Sequence, residues 1–355
     1  MFWYLFLATS PIWLMFIIET CYKKPIDSDK SVKKIYVFFC GLVLFIFIGF
    51  RNKELGSVDS ANYYDNWLLL RDLPFKKLPY IMEESPMEDG YLFTIWCISR
   101  VFYEPQFVFI LSGLLFSIAV SKTVYVNSQN VMLSMVMYIC LGLYIFMVQG
   151  LRQSIAISIC LLATEYCKKR RLWPFLLCML LAFCFHRSSI AFAIMYPLYG
   201  GRFGKKTKIG ALALAGLLMV LSPVLISLGN EFLEREYTET AQSGALVASA
   251  IYVIIVAVGY LFTNDQNTDE TYAFFMLMTM VGGSFYLMRY LGAQVLDRIS
   301  FYFMMGQNIA LPTVLNRFES DSKRILNIAV CLLSIALFVY RILTSYSTTY
   351  LFFWQ

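Results

Sequence analysis

Apolar residues fill the chain in runs of about the length needed to cross a lipid bilayer, broken by short clusters of charge. The pattern predicts helices at 2–20, 33–50, 105–123, 130–148, 152–167, 172–186, 188–199, 208–228, 245–263, 271–288, 299–315 and 325–345. A stretch at 91–103 is shorter and more polar and is expected to lie along the membrane surface. Between residues 51 and 89 the chain carries five basic and eight acidic side chains, which makes 51–105 the largest polar loop. A second polar segment, 230–244, holds Glu231, Glu234, Arg235, Glu236, Tyr237 and Glu239. The expectation is an all-α, polytopic bundle of about 11–12 helices forming one transmembrane domain over 1–355.

Composition agrees with lipid as the solvent. Of 355 residues 59% are hydrophobic and 15% charged, a balance that a soluble globular domain does not have. Met1 to Thr20 lacks a basic leader and a small-residue cleavage site, so it reads as a first membrane helix. The net charge of +6 arises from juxtamembrane clusters and calls for no nucleic-acid partner. The nine cysteines show no CxxC spacing, and with one histidine in the whole chain a histidine-based metal site is excluded. Nucleotide-binding and hydrolase-triad signatures are absent. No metal and no cofactor are expected.

Lysine-rich clusters set the orientation. Lys23, Lys24, Lys30, Lys33 and Lys34, then Lys168 to Arg171, then Arg202, Lys205, Lys206 and Lys208, belong on the cytoplasmic side. All three share one side only if 172–199 is a pair of short helices turning near His186 and 91–103 lies along the membrane without crossing it. One long helix over 172–199 would instead invert everything after it. With the hairpin, a rise of about 1.5 Å per residue puts Arg51 roughly 25 Å above Lys34, Arg152 roughly 24 Å above Lys168 and His186 roughly 22 Å above Arg171. Arg298 stands roughly 28 Å above Arg317, with Arg289 capping the preceding helix at a similar height. Arginines at helix ends commonly snorkel to lipid headgroups, but these oppose the positive-inside trend and gather at one level. Guanidinium groups bind phosphate oxygens bidentately, so Arg51, Arg152, Arg289 and Arg298 are candidate pyrophosphate ligands.

Histidine, with an ordinary pKa of about 6.5, suits a general base. His186 in Cys184-Phe185-His186-Arg187-Ser188 is the first candidate, and Asp59, eight residues after Arg51, is the rival. A structural histidine and a solvated loop acid are the plain alternatives. Tyr63 and Tyr64 could stack on a sugar ring or anchor a loop at the interface. Gln153 neighbours Arg152, and Tyr302, one turn from Arg298 on the same face, is a supporting residue.

At these positions the chain resembles the Wzy-type polysaccharide polymerases, in particular the EpsG-like branch. Gly49-Phe50-Arg51 with Gly56, Asp59 and Tyr63 or Tyr64 resembles that branch's arginine, glycine-x-aspartate and tyrosine pattern. Here Gly56-Ser57-Val58-Asp59 is one residue longer than the family's Gly-Thr-Asp. Arg152-Gln153-Ser154, the basic patch Lys168 to Arg171, and Phe185-His186-Arg187-Ser188 form the most specific match. Arg298 with Tyr302 is a third, shorter one. The resemblance implies a membrane glycosyltransferase of GT-C-like architecture in the bacterial inner (plasma) membrane, with its site facing the periplasmic or extracytoplasmic side. It implies undecaprenyl-pyrophosphate-linked oligosaccharides as substrates, as in O-antigen, lipopolysaccharide or capsule assembly, with membrane lipids, a chain-length regulator and a flippase as partners. On that basis His186 and Asp59 are the catalytic candidates, Arg51, Arg152, Arg298 and Arg289 hold pyrophosphate, and Tyr63, Tyr64, Gln153 and Tyr302 orient the sugar. A flippase or transporter of lipid-linked oligosaccharide, or a membrane acyltransferase acting on surface glycan, would also use cations in a helical bundle.

Overall fold

A computed structural model describes residues 1–55, 58–199, 269–287, 294–345 and 349–355, with 209–210, 253–254 and 257. Apart from those few positions the predicted helices 208–228 and 245–263 lie outside these residues, as do the cluster Arg202 to Lys208, the segment 230–244, Gly56 and Arg289. The chain is an all-α polytopic membrane protein. Among the described residues four helices are long and apolar enough to cross a membrane, α1 (Phe2–Tyr22), α2 (Lys30–Gly49), α6 (Phe107–Asn127) and α15 (Ser320–Ser345).

The lysine-bearing ends and the arginine-bearing ends of the helices separate in space. At one end Lys33 Nζ donates to the Ser128 carbonyl at 2.7 Å and Lys168 Nζ meets Glu165 at 2.8 Å. Asn316 reaches the Gln129 carbonyl at this same end. At the other, Arg51 pairs with Phe352 in an isolated bridge, and Asn52 and Phe353 extend the pairing through the Leu351 and Phe50 carbonyls.

Two predicted helices are each broken once. The run 130–148 divides into α7 (Val131–Cys140) and α8 (Leu143–Gln149), bent by 45°. Gly142 at the break has φ +100°, and a β-carbon there would sit 2.2 Å from Arg341 Nη1. A side chain at 142 would thus meet both backbone strain and a clash. The run 299–315 becomes α13 (Gln294–Met304) and α14 (Gln307–Leu315), preceded by α12 (Glu270–Leu287).

The hairpin at His186 is present. α9 (Leu151–Lys168) runs to the lysine end, and α10 (Leu172–Phe185) climbs back beside it. His186 leaves helical geometry at φ −160°, ψ 115°. The return is a 3-10 helix, Arg187–Ile194, followed by the single turn α11 (Met195–Leu198). Fourteen α-helical residues rise about 21 Å. Eight 3-10 residues and four α residues descend about 22 Å, because 3-10 geometry stretches each residue to about 2.0 Å. Arg170 therefore meets the end of the hairpin's return limb, donating to the Tyr199 carbonyl at 2.9 Å while its guanidinium lies 4.2 Å over the Tyr196 ring.

Residues 58–99 form a helical cap, where the sequence predicted a large polar loop with one membrane-surface helix at 91–103. α3 (Val58–Arg71), a 3-10 turn (Phe75–Lys77), α4 (Leu78–Glu84) and α5 (Asp89–Ser99) bury Tyr63, Trp67, Leu70, Tyr91, Leu92 and Ile95. α5 packs against α3 and α10, which brings the cap over the His186 turn.

Candidate active site

Beneath the cap lies a cavity of about 420 Å³ walled by α3, α8, α9, α13 and the His186 turn. This is the size of an ordinary small-molecule pocket. Asp59, Tyr63, Arg152, Gln153, His186 and Arg298 all line it, so the structure joins residues that are up to 239 positions apart in sequence (59 to 298). Asn62 and Gln149 add polar groups, and Phe146, stacked on Phe301 at 4.1 Å, forms an apolar wall.

The centre of the arrangement is a residue that sequence patterning does not single out, Glu88. Its Oε1 lies 2.8 Å from His186 Nδ1 and accepts the Arg187 backbone N–H at 3.3 Å. Its Oε2 accepts from Arg152 Nη1. The side chains of Glu88, Arg152 and His186 are 11%, 13% and 15% exposed, so the three are largely withdrawn from water while two of them still face the cavity. Burial by itself would raise the Glu88 carboxyl. The His186 hydrogen bond and the Arg152 charge outweigh it and hold the group at about 2. Glu88 is thus a carboxylate across the physiological range.

Close packing delivers Glu88 to this place. It occupies the N-cap position of α5 without a side-chain capping bond, and two residues on, Gly90 sits so near α10 that a β-carbon there would lie 2.5 Å from both Cys184 Cβ and the Cys184 carbonyl oxygen. Only glycine lets the two helix ends meet. On the far wall Gln153 Nε2 donates to the Arg298 carbonyl at 2.5 Å, tying α9 to α13, and Ser188 and Tyr302 hydroxyls meet at 3.2 Å below the turn.

Three residues expected at the site, Arg51, Tyr64 and Tyr302, do not line the cavity. Arg51 does not line the cavity: it is fully buried, donating to the Ile48 carbonyl at 2.9 Å and the Val148 carbonyl at 3.0 Å, with Phe109 4.0 Å from its guanidinium. Its height along α2 is as expected, but its side chain turns inward to satisfy carbonyls at two helix ends. Tyr64 is also absent from the lining, and Lys53 lies 4.8 Å over its ring. The partner of His186 is Glu88, whereas Asp59 sits exposed in the first turn of α3 on the cavity rim. Tyr302, expected to orient the sugar, is fully buried and does not line the cavity; its hydroxyl meets Ser188 beneath the turn instead.

Among the described residues no group of three His, Cys, Asp or Glu side chains converges as a metal's ligand set. The cavity instead offers two guanidinium groups, an imidazole tied to a carboxylate, and a carboxylate on the rim. The EpsG family model matches residues 34–354. The chain belongs to the EpsG family. Membership over nearly the whole length makes it a polysaccharide polymerase-type membrane protein. No curated protein and no solved structure matches the chain. In this EpsG-family chain all three patches that resemble the family contribute to the cavity wall, Asp59 and Tyr63 from the first, Arg152, Gln153 and His186 from the second, and Arg298 from the third.

Proposed function

We propose that the protein is a glycosyltransferase that polymerises lipid-linked repeat units at the extracytoplasmic face of the bacterial plasma membrane. The growing glycan is transferred from undecaprenyl pyrophosphate to a hydroxyl at the non-reducing end of an incoming lipid-linked oligosaccharide. The observation that carries this reading is the placement of His186 in one polar cavity with Arg152 and Arg298, its Nδ1 occupied by Glu88.

His186 Nε2 takes the proton of the acceptor hydroxyl as its oxygen attacks the anomeric carbon. The bond from that carbon to the pyrophosphate oxygen breaks, and the electron pair leaves on the pyrophosphate. Arg298 and Arg152 neutralise the charge that develops there. Cations already fixed in the wall supply what a divalent metal would otherwise provide. Asp59, Tyr63 and Asn62, along the α3 rim, hold the acceptor sugar through hydroxyl hydrogen bonds. In this reading the reacting sugars and pyrophosphate occupy the cavity, while the polyprenyl chains lie in lipid. A flippase and a chain-length regulator act before and alongside such an enzyme.

Purified protein in lipid nanodiscs, given a defined undecaprenyl-pyrophosphate-linked repeat unit, is expected to convert it to a ladder of longer glycans. Movement of unaltered substrate across a vesicle membrane, with no ladder, would show a transporter. Acylated glycan of unchanged length would show an acyltransferase.

A further inference from the structure

We propose that Glu88 is the positioning residue of the site, fixing His186 as the Nδ1–H tautomer so that Nε2 is the proton acceptor. The inference rests on the base role of His186 for its catalytic meaning, but the tautomer itself is a property of the resting protein.

An ionised carboxylate can only accept hydrogen bonds. With Glu88 Oε1 2.8 Å from His186 Nδ1, the proton of a neutral imidazole must sit on Nδ1. In water an unconstrained imidazole prefers the opposite form, Nε2–H, which has no lone pair to offer the cavity. Glu88 therefore reverses the intrinsic preference. The same oxygen also accepts the Arg187 N–H, which fixes the ring relative to the backbone turn. Three hydrogen bonds thus converge on one carboxylate from α9 and from both residues of the turn.

Other charged or titratable groups near the imidazole do not compete for this function. Arg152 faces it from α9 but is bonded to Glu88, and Arg298 faces the cavity from α13. Arg187 follows on the same turn, and Asp59 and Tyr63 line the cavity from α3. Cys184 precedes on α10, and Tyr302 meets Ser188 beneath the turn. Arg152 also balances the charge of Glu88. That pairing leaves the carboxylate ionised.

The only histidine of the chain is His186, so histidine-specific 15N labelling of protein purified on a histidine-free tag gives one pair of ring nitrogens. In the wild type above the imidazole's titration, Nδ1 should show the pyrrole-type shift and Nε2 the pyridine-type shift. Glu88→Gln keeps the shape but presents an amide that can donate or accept, so both nitrogens should move toward averaged or reversed shifts. Polymerisation should fall at least tenfold in kcat with KM little changed, and Glu88→Asp should recover part of the Nδ1–H population. A wild-type Nε2–H tautomer, or one unaffected by Glu88→Gln, would overturn the proposal even if the ladder forms. An Nδ1–H tautomer in a protein that forms no ladder would leave the positioning intact and refute the polymerase reading instead.

Discussion

Replacing Gly90 by alanine tests whether the meeting of the cap with α10 builds the site. The added methyl would lie 2.5 Å from Cys184 Cβ and 2.5 Å from the Cys184 carbonyl oxygen, where ordinary contact begins at 3.4 Å. The end of α5 must therefore withdraw by about 1 Å, because backbone cannot rotate aside as a flexible side chain would. Overpacking of this kind costs about 1–3 kcal/mol of stability. The larger consequence is geometric. The contact of 2.8 Å between Glu88 and His186 would stretch past hydrogen-bond range, and a displacement of this size in a reacting group can cost on the order of a hundredfold in rate. Gly90→Ala should thus fold, melt a few degrees lower, and lose most ladder formation. Adding Cys184→Gly removes one of the three clashing atoms and leaves the carbonyl carbon and oxygen, so it should restore little. Wild-type ladder formation and melting by Gly90→Ala would refute the claim that this close approach sets the site.

Further substitutions separate structural from chemical roles. Arg51→Met strands two buried carbonyls and should lower stability by about 2–4 kcal/mol, exposing the 349–355 tail to proteolysis; unchanged stability with lost activity would return Arg51 to the pyrophosphate. Arg152→Lys cannot hold Glu88 and a phosphate oxygen with one planar fork, so kcat should fall about tenfold to a hundredfold, and wild-type polymerisation would contradict a bidentate role. The Glu88 carboxyl is held at about 2 against 4.5 unperturbed. Its folded value is the lower one, so its stabilisation is complete above about pH 4.5 and is lost as pH falls toward 2. At about 1.4 kcal/mol per unit that is about 3 kcal/mol at neutrality, of which about 2 should vanish between pH 6 and 3. Thermal melts should show that loss in the wild type and not in Glu88→Gln, and equal acid sensitivity of the two would remove Glu88 from the network.

The polar triplet His186-Arg187-Ser188 between two apolar runs made the hairpin legible in sequence, and helix rise alone put Arg152, His186 and Arg298 at one level. Rise fixes height but not the direction in which a side chain turns. Arg51 has the expected height and faces carbonyls, not the cavity. Glu88 was hidden for a different reason. It is one of eight acids between 51 and 89, and its partners lie 64 and 98 residues away, so no local spacing distinguishes it from Glu83 or Glu84. The cap's core is not legible in sequence because Tyr63, Trp67 and Tyr91 also suit an interfacial belt. The breaks at Gly142 and Gly306 had a visible cue, a glycine inside an apolar run, whose meaning depends on the neighbour that approaches it.

The most direct measurement is glycan length after purified wild-type and His186→Gln proteins are incubated, with EDTA present, with a defined undecaprenyl-pyrophosphate-linked repeat unit. The account predicts a ladder and released undecaprenyl pyrophosphate from the wild type and almost none from His186→Gln at equal melting temperature. A wild-type ladder from His186→Gln would contradict it.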